Sequence, residues 1–452
     1  MKEKRKKSEG GNNGVSRRTF IKYVGTAGIA AAVGPQIFSP KARGAQKDQI
    51  VFVSEESNPK AIAVYEKINA NFEKNTGIKV TMEYPGFANI HKRVATLIAA
   101  GTPPEIVWYG AGQAMNLALE DQLADVSDVI KELGGVPDNL RMVYKGADRS
   151  IPTSQQFTYC WYRKDLYQQK GLQPFKTWEE FLSDAKALNN PPDLYGCIVP
   201  SAETGASTII FETLLMTNDG HWFEWNPSKK QYEVALDKGM NKKRAVETLD
   251  YLYELHKYSP EASTYNWAEL MSTYVTEKAA TSYYVGARLL EQVIANNARI
   301  ADVTLPIAFP KRLTDHFFLS IQGFHILNHS NVEGAKQYCK FFLKHPDCIN
   351  WYHAVPLHII PASRELLRSA KYQDNPMIQK RMDVLNFLDS LWGKGVPLYY
   401  WDGKELNPFI GLYHNDNLGG WMVAMRNIKG MKSEAVIDEA ASQIRKKIQK
   451  AS

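Results

Sequence analysis

Apolar residues recur with two alternating periods along residues 49–119. Residues 49–53 are apolar after Gln49, residues 78–84 alternate apolar with polar side chains, and residues 105–109 are apolar after Glu105, so three strands are predicted. The intervening segments carry apolar residues three or four apart, which predicts helices. The first begins at Asn58-Pro59 and ends at Gly77, the second ends at Gly101, and the third begins at about Gln113. This alternation predicts an α/β fold with a parallel sheet covered on both faces.

A second unit of the same kind is predicted to begin near Phe157. Residues 157–163 are rich in aromatic side chains and predict a strand. Thr177 and Glu180 precede an apolar stripe with the spacing of a capping box, in which each side chain accepts from the other residue's backbone amide. The same patterns predict strands at 197–199, 281–285, 303–309 and 323–327, a hairpin or loop at 222–234, and helices at 207–217, 243–258, 288–295, 332–343 and 433–450.

The first 44 residues predict an export signal. A lysine-rich start leads to the pair Arg17 and Arg18, with Phe20 two residues after the pair and Lys22 shortly beyond it. An Ala/Gly-rich run to residue 33 and small residues at 42–45 follow, which is the order of a twin-arginine signal with a peptidase site. The apolar run is shorter than the ~20 residues that span a bilayer, and no cysteine for a lipid anchor lies near the predicted cleavage site.

The excess of basic over acidic residues in the chain lies in this N-terminal segment. The chain has 55 Lys+Arg and 48 Asp+Glu, and its net charge is +7. Residues 1–44 hold 10 basic and 2 acidic residues, so the remainder has 45 and 46 and a net charge of −1. A nucleic-acid partner is therefore not expected, because it requires a basic stripe that neutralises phosphates. The remaining 408 or so residues exceed one ordinary core, so two or more lobes are expected.

The four cysteines indicate no metal centre. Cys160, Cys197, Cys339 and Cys348 form no C-x-x-C motif and have no zinc-ligand spacing to a histidine. Buried thiols are the favoured interpretation. A disulfide between Cys339 and Cys348 stays open, since an oxidising compartment would permit it.

Five short blocks point to a known family. In chain order they are residues 72–80, 101–107, 122–126, 162–167 and 176–181, which read FEKNTGIKV, GTPPEIV, QLADV, YRKDLY and KTWEEF. Together they resemble the extracellular solute-binding proteins of ABC importers, in the branch that includes maltose-binding protein. The resemblance covers essentially all of the chain after the predicted signal.

The resemblance implies a two-lobed periplasmic-binding-protein fold of type II, with the ligand in a cleft between the lobes. The N-terminal lobe would comprise residues 46–153 and 307–349, and the C-terminal lobe residues 154–306 and 350–452. It also implies a periplasmic, monomeric binding protein that delivers a small solute to the membrane permease of an ABC importer. Such a protein is not an enzyme and needs no cofactor or metal.

Candidate ligand-binding residues follow from the expected strand ends and hinge, because parallel sheets present strand ends and helix N-termini at the cleft rim. Trp108 and Tyr109 are successive strand residues, so one of the two is expected to face the cleft and the other the core. Each group of candidates also has a competing structural explanation. The acidic residues could only cap a helix, the aromatic residues could pack in the core, and Arg288 could form a surface salt bridge. The candidates are Ser54, Glu55, Glu56, Trp108, Tyr109, Gln155, Gln156, Tyr284, Gly286 and Arg288, with Trp351, His353, Trp401 and Asp402 as weaker ones.

A sugar or similar polyol is the favoured solute, since aromatic rings stack on the C–H face of sugars. Related maltodextrin binders place aromatics in the segment matching residues 207–212, where this chain has only Phe211, so a smaller or more polar solute fits equally well. The alternatives are an exported carbohydrate-active enzyme, a sensor module, and a receptor for a polyamine or amino acid. Against an enzyme, the sequence has no nucleophile elbow, H-E-x-x-H motif or Walker loop, and Met115 replaces the third glycine of a dinucleotide fingerprint.

Overall fold

The structure is a computed structural model that describes residues 48–261, 263–284, 286–403 and 405–451. The predicted export signal lies outside the described residues, as does Val285 at the end of a predicted strand. None of the described helices is both long and apolar enough to cross a membrane.

The described strands comprise two sheets and two short hairpins. In chain order they are β1 (Gln49–Ser54), β2 (Lys79–Glu83), β3 (Ile106–Gly110), β4 (Val143–Tyr144), β5 (Ala147–Asp148), β6 (Ile151–Phe157), β7 (Tyr159–Arg163), β8 (Phe223–Asn226), β9 (Gln231–Val234), β10 (Thr281–Ser282), β11 (Thr304–Ala308), β12 (Phe317–Ile326), β13 (Ile360–Pro361) and β14 (Gly395–Val396).

The described helices cover the sheets and make up most of the C-terminal hundred residues. They are α1 (Pro59–Thr76), α2 (Ile90–Ala99), α3 (Ala111–Leu119), α4 (Ser127–Glu132), α5 (Lys164–Gln169), α6 (Trp178–Leu188), α7 (Gly205–Thr217), α8 (Gly239–His256), α9 (Trp267–Val275), α10 (Arg288–Asn296), α11 (Val332–Lys344), α12 (Cys348–Tyr352), α13 (Arg364–Arg368), α14 (Ala370–Gln373), α15 (Pro376–Lys380), α16 (Met382–Ser390), α17 (Leu398–Trp401), α18 (Gly411–His414), α19 (Leu418–Asn427) and α20 (Ser433–Ala451), with 3₁₀ turns at Asp138–Leu140 and Ala298–Val303.

The first lobe is built on a seven-stranded sheet in the order β13-β6-β12-β3-β1-β2, with β14 paired to β12. Strands β1, β2 and β3 are parallel, as predicted. Strand β12 returns from late in the chain and pairs antiparallel with both β3 and β6, so the sheet is mixed rather than wholly parallel. The α/β class is confirmed, and the parallel prediction holds for the N-terminal strands.

Helix α1 shows how local sequence sets these elements. The Asn58 side chain accepts from the Lys60 amide at 2.9 Å, which caps the N-terminus just before the proline at the first helical position. Gly77 ends the helix with a φ of 75°, a left-handed conformation that favours glycine. Tyr65 and Phe72 are buried on the inner face. The predicted bounds of this helix are confirmed.

The second lobe is built on a smaller sheet in the order β10-β7-β11. Its covering helix α6 has the predicted capping box, since Thr177 Oγ1 accepts from Glu180 N at 3.2 Å and Glu180 Oε2 accepts from Thr177 N at 3.1 Å. The predicted strand at 197–199 is reduced to a single bridge between Ile198 and Ser282. The C-terminal helices α19 and α20 pack on α7 and α8 of this lobe.

The prediction of one strand over 157–163 is wrong, because the chain divides there between the two sheets. Strand β6 ends at Phe157 in the first lobe, and β7 begins at Tyr159 in the second. Between them Thr158 Oγ1 donates to Phe318 O at 2.6 Å, which ties the first crossover to the start of β12. A second crossover joins β11 to β12. The predicted lobe boundaries stay a prediction, and these strands favour a first crossover at Thr158 rather than at 153–154.

The four cysteines are all buried, and none is bonded to another described cysteine. Burial raises the pKa of the thiols of Cys160, Cys197, Cys339 and Cys348. They therefore pack as small apolar side chains with inert thiols.

Buried His325 makes the stability of the first lobe depend on pH. It lies in β12 opposite Val107 of β3, and its ring nitrogens have no hydrogen-bond partner among the described residues. Burial lowers its pKa from 6.5 to about 3. The folded state therefore keeps a neutral ring that the unfolded state protonates below pH ~6.5. Stability is present in full above that pH and is lost as the pH falls towards 3.

We expect His325→Leu to weaken this acid sensitivity. Between pH 6.5 and 4.5 the free energy of unfolding of the wild-type chain should fall by about 2 kcal/mol more than that of the variant. Urea unfolding at several pH values measures the difference, and a reference measurement at pH 7.5 corrects for altered packing. Parallel pH profiles for the two proteins would contradict the assignment.

Candidate functional site

The end of β1 is organised by Ser54, which lies inside the first lobe. Its Oγ accepts from the Glu56 amide at 3.2 Å and lies 3.5 Å from the hydroxyl of Tyr65 on α1. The Glu55 amide donates to Trp108 O of β3 at 3.1 Å. The turn after β1 is therefore fixed on both sides, and it places the two glutamates at the edge of the sheet.

Glu56 joins the two lobes. Its Oε1 accepts from the Asn58 amide at 2.8 Å, and its Oε2 accepts from Arg288 Nη2 at 2.9 Å. Arg288 is the first residue of α10 in the second lobe. The Glu56 side chain is only 5% exposed, whereas that of Arg288 is 27% exposed. Arg288, a candidate ligand-binding residue for which a surface salt bridge was the competing explanation, therefore makes a largely buried ion pair between the lobes.

Glu55 is the unpaired acid of this region. The residue is partly exposed, but its Oε2 is out of contact with solvent and has no hydrogen-bond partner within the described part of the chain. Burial and, to a lesser degree, the adjacent Glu56 raise its pKa to about 8, against the opposing charge of Arg288. At neutral pH the carboxyl is therefore largely protonated, and it can both donate and accept.

Tyr109 faces the site, whereas Trp108 belongs to the core. The Tyr109 ring lies between His91 at 5.5 Å and His325 at 5.2 Å. Burial raises the pKa of its hydroxyl, as does the nearby Glu55, so it remains a donor. Trp108 Nε1 donates to Thr153 Oγ1 at 2.8 Å inside the sheet core.

The hinge contributes one of the two predicted glutamines to this region. Gln155 Nε2 donates to Pro361 O of β13 at 3.3 Å, away from the site. Gln156 is partly exposed, and its Nε2 lies 3.1 Å from Nε2 of His358. Burial lowers the pKa of His358 well below its usual value, and Arg288 lowers it further. The neutral ring therefore accepts from the Gln156 amide through Nε2 and carries its proton on Nδ1.

The second lobe presents Tyr284 and Gly286 opposite these groups. The Tyr284 ring packs edge-on against Trp267 with centroids 5.6 Å apart. Gly286 has a φ of 83°, and its carbonyl accepts from Trp161 Nε1 at 3.0 Å. A Cβ at this position would lie 2.3 Å from His358 Nδ1. The glycine therefore allows the second lobe to approach the hinge histidine closely.

Sequence reasoning missed His358 and a second contact between the lobes. A Cβ on Gly205, at the start of α7, would lie 3.3 Å from Phe87 Cε1 of the first lobe and 3.8 Å from Asn417 Oδ1. Asn415 Nδ2 donates to Gln113 O of α3 at 3.1 Å. Phe87 follows a predicted strand, so its position could have been proposed from sequence. His358 and the two asparagines come from distant segments, and no local pattern marks them.

Four other candidates make structural contacts. Trp351 is fully buried in the first lobe, with its ring 5.1 Å from that of Trp108. His353 Nε2 donates to Tyr372 O at 2.7 Å. Trp401 Nε1 donates to Gly220 O at 2.8 Å, and Asp402 accepts from Phe223 N at 3.3 Å. The structure therefore does not bring these residues to the group formed by Glu55, Tyr109, Gln156 and Tyr284.

This group can bind a polar molecule reversibly. It offers a protonated carboxyl, a phenol, an amide and aromatic edges contributed by two lobes and a hinge, the mixture typical of small-molecule sites. Glu56 has both carboxylate oxygens occupied by Asn58 and Arg288. Across the described residues, no set of three or more His, Cys, Asp or Glu side chains is placed to hold a metal ion.

Comparison with known proteins identifies relatives. The family model for bacterial extracellular solute-binding proteins matches residues 57–345. The protein YcjN of Escherichia coli (strain K12), which carries the name of an ABC transporter periplasmic-binding protein, is 24% identical over 341 residues, or 72% of this chain and 76% of that protein. A mannitol-binding protein of Pseudomonas aeruginosa is 27% identical over 218 residues, or 45% of this chain and 44% of its own length.

Solved structures share the fold. A solute-binding protein of Thermotoga lettingae bound to α-D-tagatose superposes with a TM-score of 0.71 at 17% identity, covering 89% of this chain and 100% of that one. A maltose-bound T. maritima MalE3 gives 0.71 at 17% identity, covering 88% and 99%. These likenesses establish the two-lobed fold of the maltose-binding-protein type.

Substitution of Gly286 tests the close approach at the hinge. We expect Gly286→Ala to destabilise the chain by about 1–2 kcal/mol through its positive φ, and by a further 1–3 kcal/mol or so through contact with His358. Gly101→Ala is a matched control, because Gly101 has a φ of 74° and nothing lies within 4 Å of the place a Cβ would occupy. Chemical denaturation measures both losses.

A second substitution isolates the contact with His358. Adding His358→Ala to Gly286→Ala should recover the excess loss, because the clashing ring is gone. Equal losses in the two single glycine-to-alanine variants, or no recovery in the double variant, would contradict the close approach.

Proposed function

The chain belongs to the bacterial extracellular solute-binding protein family, and on this premise we propose that its interlobe cleft captures a sugar or polyol for an ABC importer. The observation that carries the proposal is the meeting of Glu55 and Tyr109 from the first lobe with Tyr284 from the second beside the Glu56–Arg288 ion pair. A site divided between lobes opens and closes by hinge motion, which permits capture and release of a solute.

The chemistry of these groups supports a hydroxyl-rich solute. The Glu55 carboxyl and the Gln156 amide can each donate and accept, as each sugar hydroxyl does. The Tyr284 and Trp267 rings offer apolar surface for C–H groups. Two relatives support the same class, since one carries the name of a mannitol-binding protein and another was solved with α-D-tagatose.

A short solute is favoured over a long glucan. Phe211 is the aromatic residue of segment 207–212, and it is fully buried with its ring 5.8 Å from that of Trp222. It is therefore not available to stack on a sugar.

We further propose lobe limits that follow the strands. The first lobe would pass into the second at Thr158 and resume in the segment between Ala308 and Phe317. The C-terminal helices α18 to α20 would move with the second lobe, because they contact one another and α19 and α20 pack on its helix α8. These limits require a third crossover between Val396, whose strand β14 pairs with β12 of the first lobe, and Gly411 at the start of α18.

The cellular compartment of the protein and its transport partner are also part of the proposal. The paired Arg17 and Arg18 support export through the twin-arginine route to the periplasm, where the closed, monomeric receptor would meet a membrane permease. An enzyme is less well supported, because glycoside hydrolysis needs two free carboxyls flanking the bond and Glu56 is held by Asn58 and Arg288.

A binding screen tests the solute class. Sugars and polyols should raise the melting temperature of the chain without residues 1–44, while amino acids and polyamines should not. Calorimetry then gives the Kd. Recovery of the bound solute unchanged after prolonged incubation distinguishes a receptor from an enzyme, and chemical conversion of the solute would overturn the proposal.

Removing one hydroxyl tests the site. We expect Tyr109→Phe to weaken binding of the solute found in the screen about three- to tenfold, the usual effect of losing one hydrogen bond. Tyr399→Phe is the matched control, since Tyr399 is buried in α17 with no partner for its hydroxyl among the residues described. Equal affinities of the two variants would remove Tyr109 from the site.

Conservative replacement of the arginine pair tests the export route. Arg17→Lys combined with Arg18→Lys keeps the charge and should leave the precursor in the cytoplasm, because the pair is read by a receptor rather than through its charge alone. Arg5→Lys, outside the pair, should leave export intact. Cell fractionation with immunodetection measures both, and normal export of the double variant would exclude this route.

A further inference from the structure

The lobes also meet at a second place, where α18 lies against the first lobe. A Cβ on Gly411, the first residue of α18, would lie 2.2 Å from Asn116 Oδ1 of α3. The ring of His414, the last residue of the same helix, lies 5.9 Å from that of Phe318 of β12. A titratable side chain on α18 is therefore packed against the first lobe.

His414 is held as a cation by Glu212 of α7 in the second lobe. Its Nδ1 donates to the Glu212 carboxylate and lies 3.1 Å from each of the two oxygens. The Glu212 side chain is fully buried, and that of His414 is 9% exposed. Burial opposes a charge on the ring, but the charge of Glu212 and its hydrogen bond outweigh burial and raise the pKa of His414. A positive charge anchored to the second lobe thus faces the first lobe.

His91 of the first lobe faces this charge. It is the second residue of α2, and its ring packs on that of Tyr109 with centroids 5.5 Å apart. Although the residue is partly exposed, burial of the ring and then the charge of His414 lower the pKa of His91 from 6.5 to about 4, against the opposing charge of Asp416. The His91 ring is therefore neutral where His414 carries a proton.

The other charged groups near the α2 ring offer little compensation for a proton on it. Asp416, the anion that acts on it, is shared with Lys447 in an ion pair. On α2 itself, Lys92 is a further cation, and Arg93 is paired with Glu83 of β2. Among the described residues, a proton on the ring would thus meet one shared anion and several cations. Two positive rings cannot stay in contact here without a cost.

We propose that His91 and the His414–Glu212 pair form a proton-sensitive contact between the lobes, through which acid favours lobe separation and release of the solute. Separation admits water to both rings and removes the burial and the repulsion that oppose a proton on His91. The open arrangement binds protons better than the closed one, so acid shifts the equilibrium towards it. This inference deepens the proposed capture of a solute and rests on it. His91 is a positioning residue, since it acts through the position of the lobes.

The direction of the effect follows from the proton occupancy of the two arrangements. The pKa of His91 is about 4 with the lobes in contact, whereas a ring in contact with water has a pKa near 6.5. Above pH ~6.5 the ring is neutral in both arrangements, and closure is unaffected. Between pH ~6.5 and 4 the open arrangement holds more protons, so solute binding weakens as the pH falls. The loss due to His91 is about tenfold at pH 5.5 relative to pH 7.5.

Two other groups of the cleft also respond to pH. Burial raises the pKa of Glu55 to about 8, so this group strengthens closure as the pH falls. Burial lowers the pKa of His358, so this group weakens closure in acid. Both groups are retained when His91 is replaced, and their contributions therefore cancel when a His91 variant is compared with the wild-type chain.

The test measures the Kd of the sugar or polyol found in the screen by calorimetry at pH 7.5 and pH 5.5, on the chain without residues 1–44. His91→Gln keeps a polar side chain that does not titrate. We expect the ratio of the Kd at pH 5.5 to that at pH 7.5 to be about tenfold smaller in this variant than in the wild-type chain. His329→Gln, which replaces an exposed histidine after β12, is the matched control and should keep the wild-type ratio.

The outcomes separate this inference from the proposed function. Equal ratios in the wild-type chain and His91→Gln, with a solute bound at pH 7.5, overturn the proton-sensitive contact and leave the function intact. Failure of every sugar and polyol at both pH values overturns the function, and the inference with it. Far-ultraviolet circular dichroism at both pH values verifies that each variant is folded.

A titration of the His91 ring by nuclear magnetic resonance tests the contact directly. We expect a pKa of about 4 in the solute complex and a higher value in the free chain, with His91→Gln identifying the signal. Glu212→Gln combined with His414→Gln removes both charges of the pair and keeps the side-chain sizes, so the pKa of His91 in the complex should move towards 6.5. The same pKa in the free chain and the complex overturns the inference, and an unchanged pKa in the double variant overturns the role of His414.

Discussion

Glu56 is a buried carboxylate, and a buried carboxylate needs a cation and hydrogen-bond donors close to it. One donor is local, the Asn58 amide at the start of α1, but the cation comes from Arg288, far along the chain and in the other lobe. In the proposed hinge motion, separation of the lobes would let water solvate both charges. When they close, each ion must find the other at the correct distance, because an unpaired buried charge is far more costly than a paired one. The pair therefore favours an arrangement of the lobes in which Arg288 Nη2 lies within hydrogen-bond distance of Glu56 Oε2.

The rest of the site follows from that geometry. Bringing Arg288 to Glu56 carries the preceding segment with Tyr284 and Gly286 towards the hinge. There Gly286 must lack a side chain, because His358 Nδ1 lies 2.3 Å from where a Cβ would be. His358 is in turn oriented by Gln156 at 3.1 Å, near the end of β6 just before the crossover. The ion pair, the glycine and the hinge thus determine together how close the lobes can approach.

Much of the fold could be predicted from the sequence, because its signals are local. Asn58, Pro59 and Gly77 define α1, and Thr177 with Glu180 defines the start of α6. The division at Thr158 could not be predicted, since residues 157–163 form one continuous aromatic pattern and only the partners of each half differ. The position of β12 between β3 and β6, antiparallel to both, could not be predicted from the sequence either. Its pairings join residues that are more than 160 positions apart in the sequence.

The candidate site shows the same limit. Strand ends led to Glu55, Tyr109 and Tyr284, and the structure brings these residues to the interface between the lobes. The same reasoning proposed Trp108, and its burial beside Trp351 follows from the alternation of side chains along β3. His358 was not predicted, because it reaches the hinge from a segment that is distant in the sequence and no local sequence pattern marks it. The pairing of Arg288 with Glu56 was also beyond reach, since 232 residues separate them.

The arrangement also supports the proposal that this cleft serves a receptor rather than a catalyst. Catalysis needs groups that change their charge or proton during the reaction, whereas here Glu56 and Arg288 neutralise each other and Glu212 pairs with His414 at 3.1 Å. Glu55 holds a proton at neutral pH, and the carboxyl next to it, that of Glu56, is already engaged. Such groups bind a hydroxyl-rich molecule with little chemical consequence. In the proposed receptor, the energy of binding would favour the closed arrangement of the lobes, because a ligand shifts the equilibrium towards the state that it binds better.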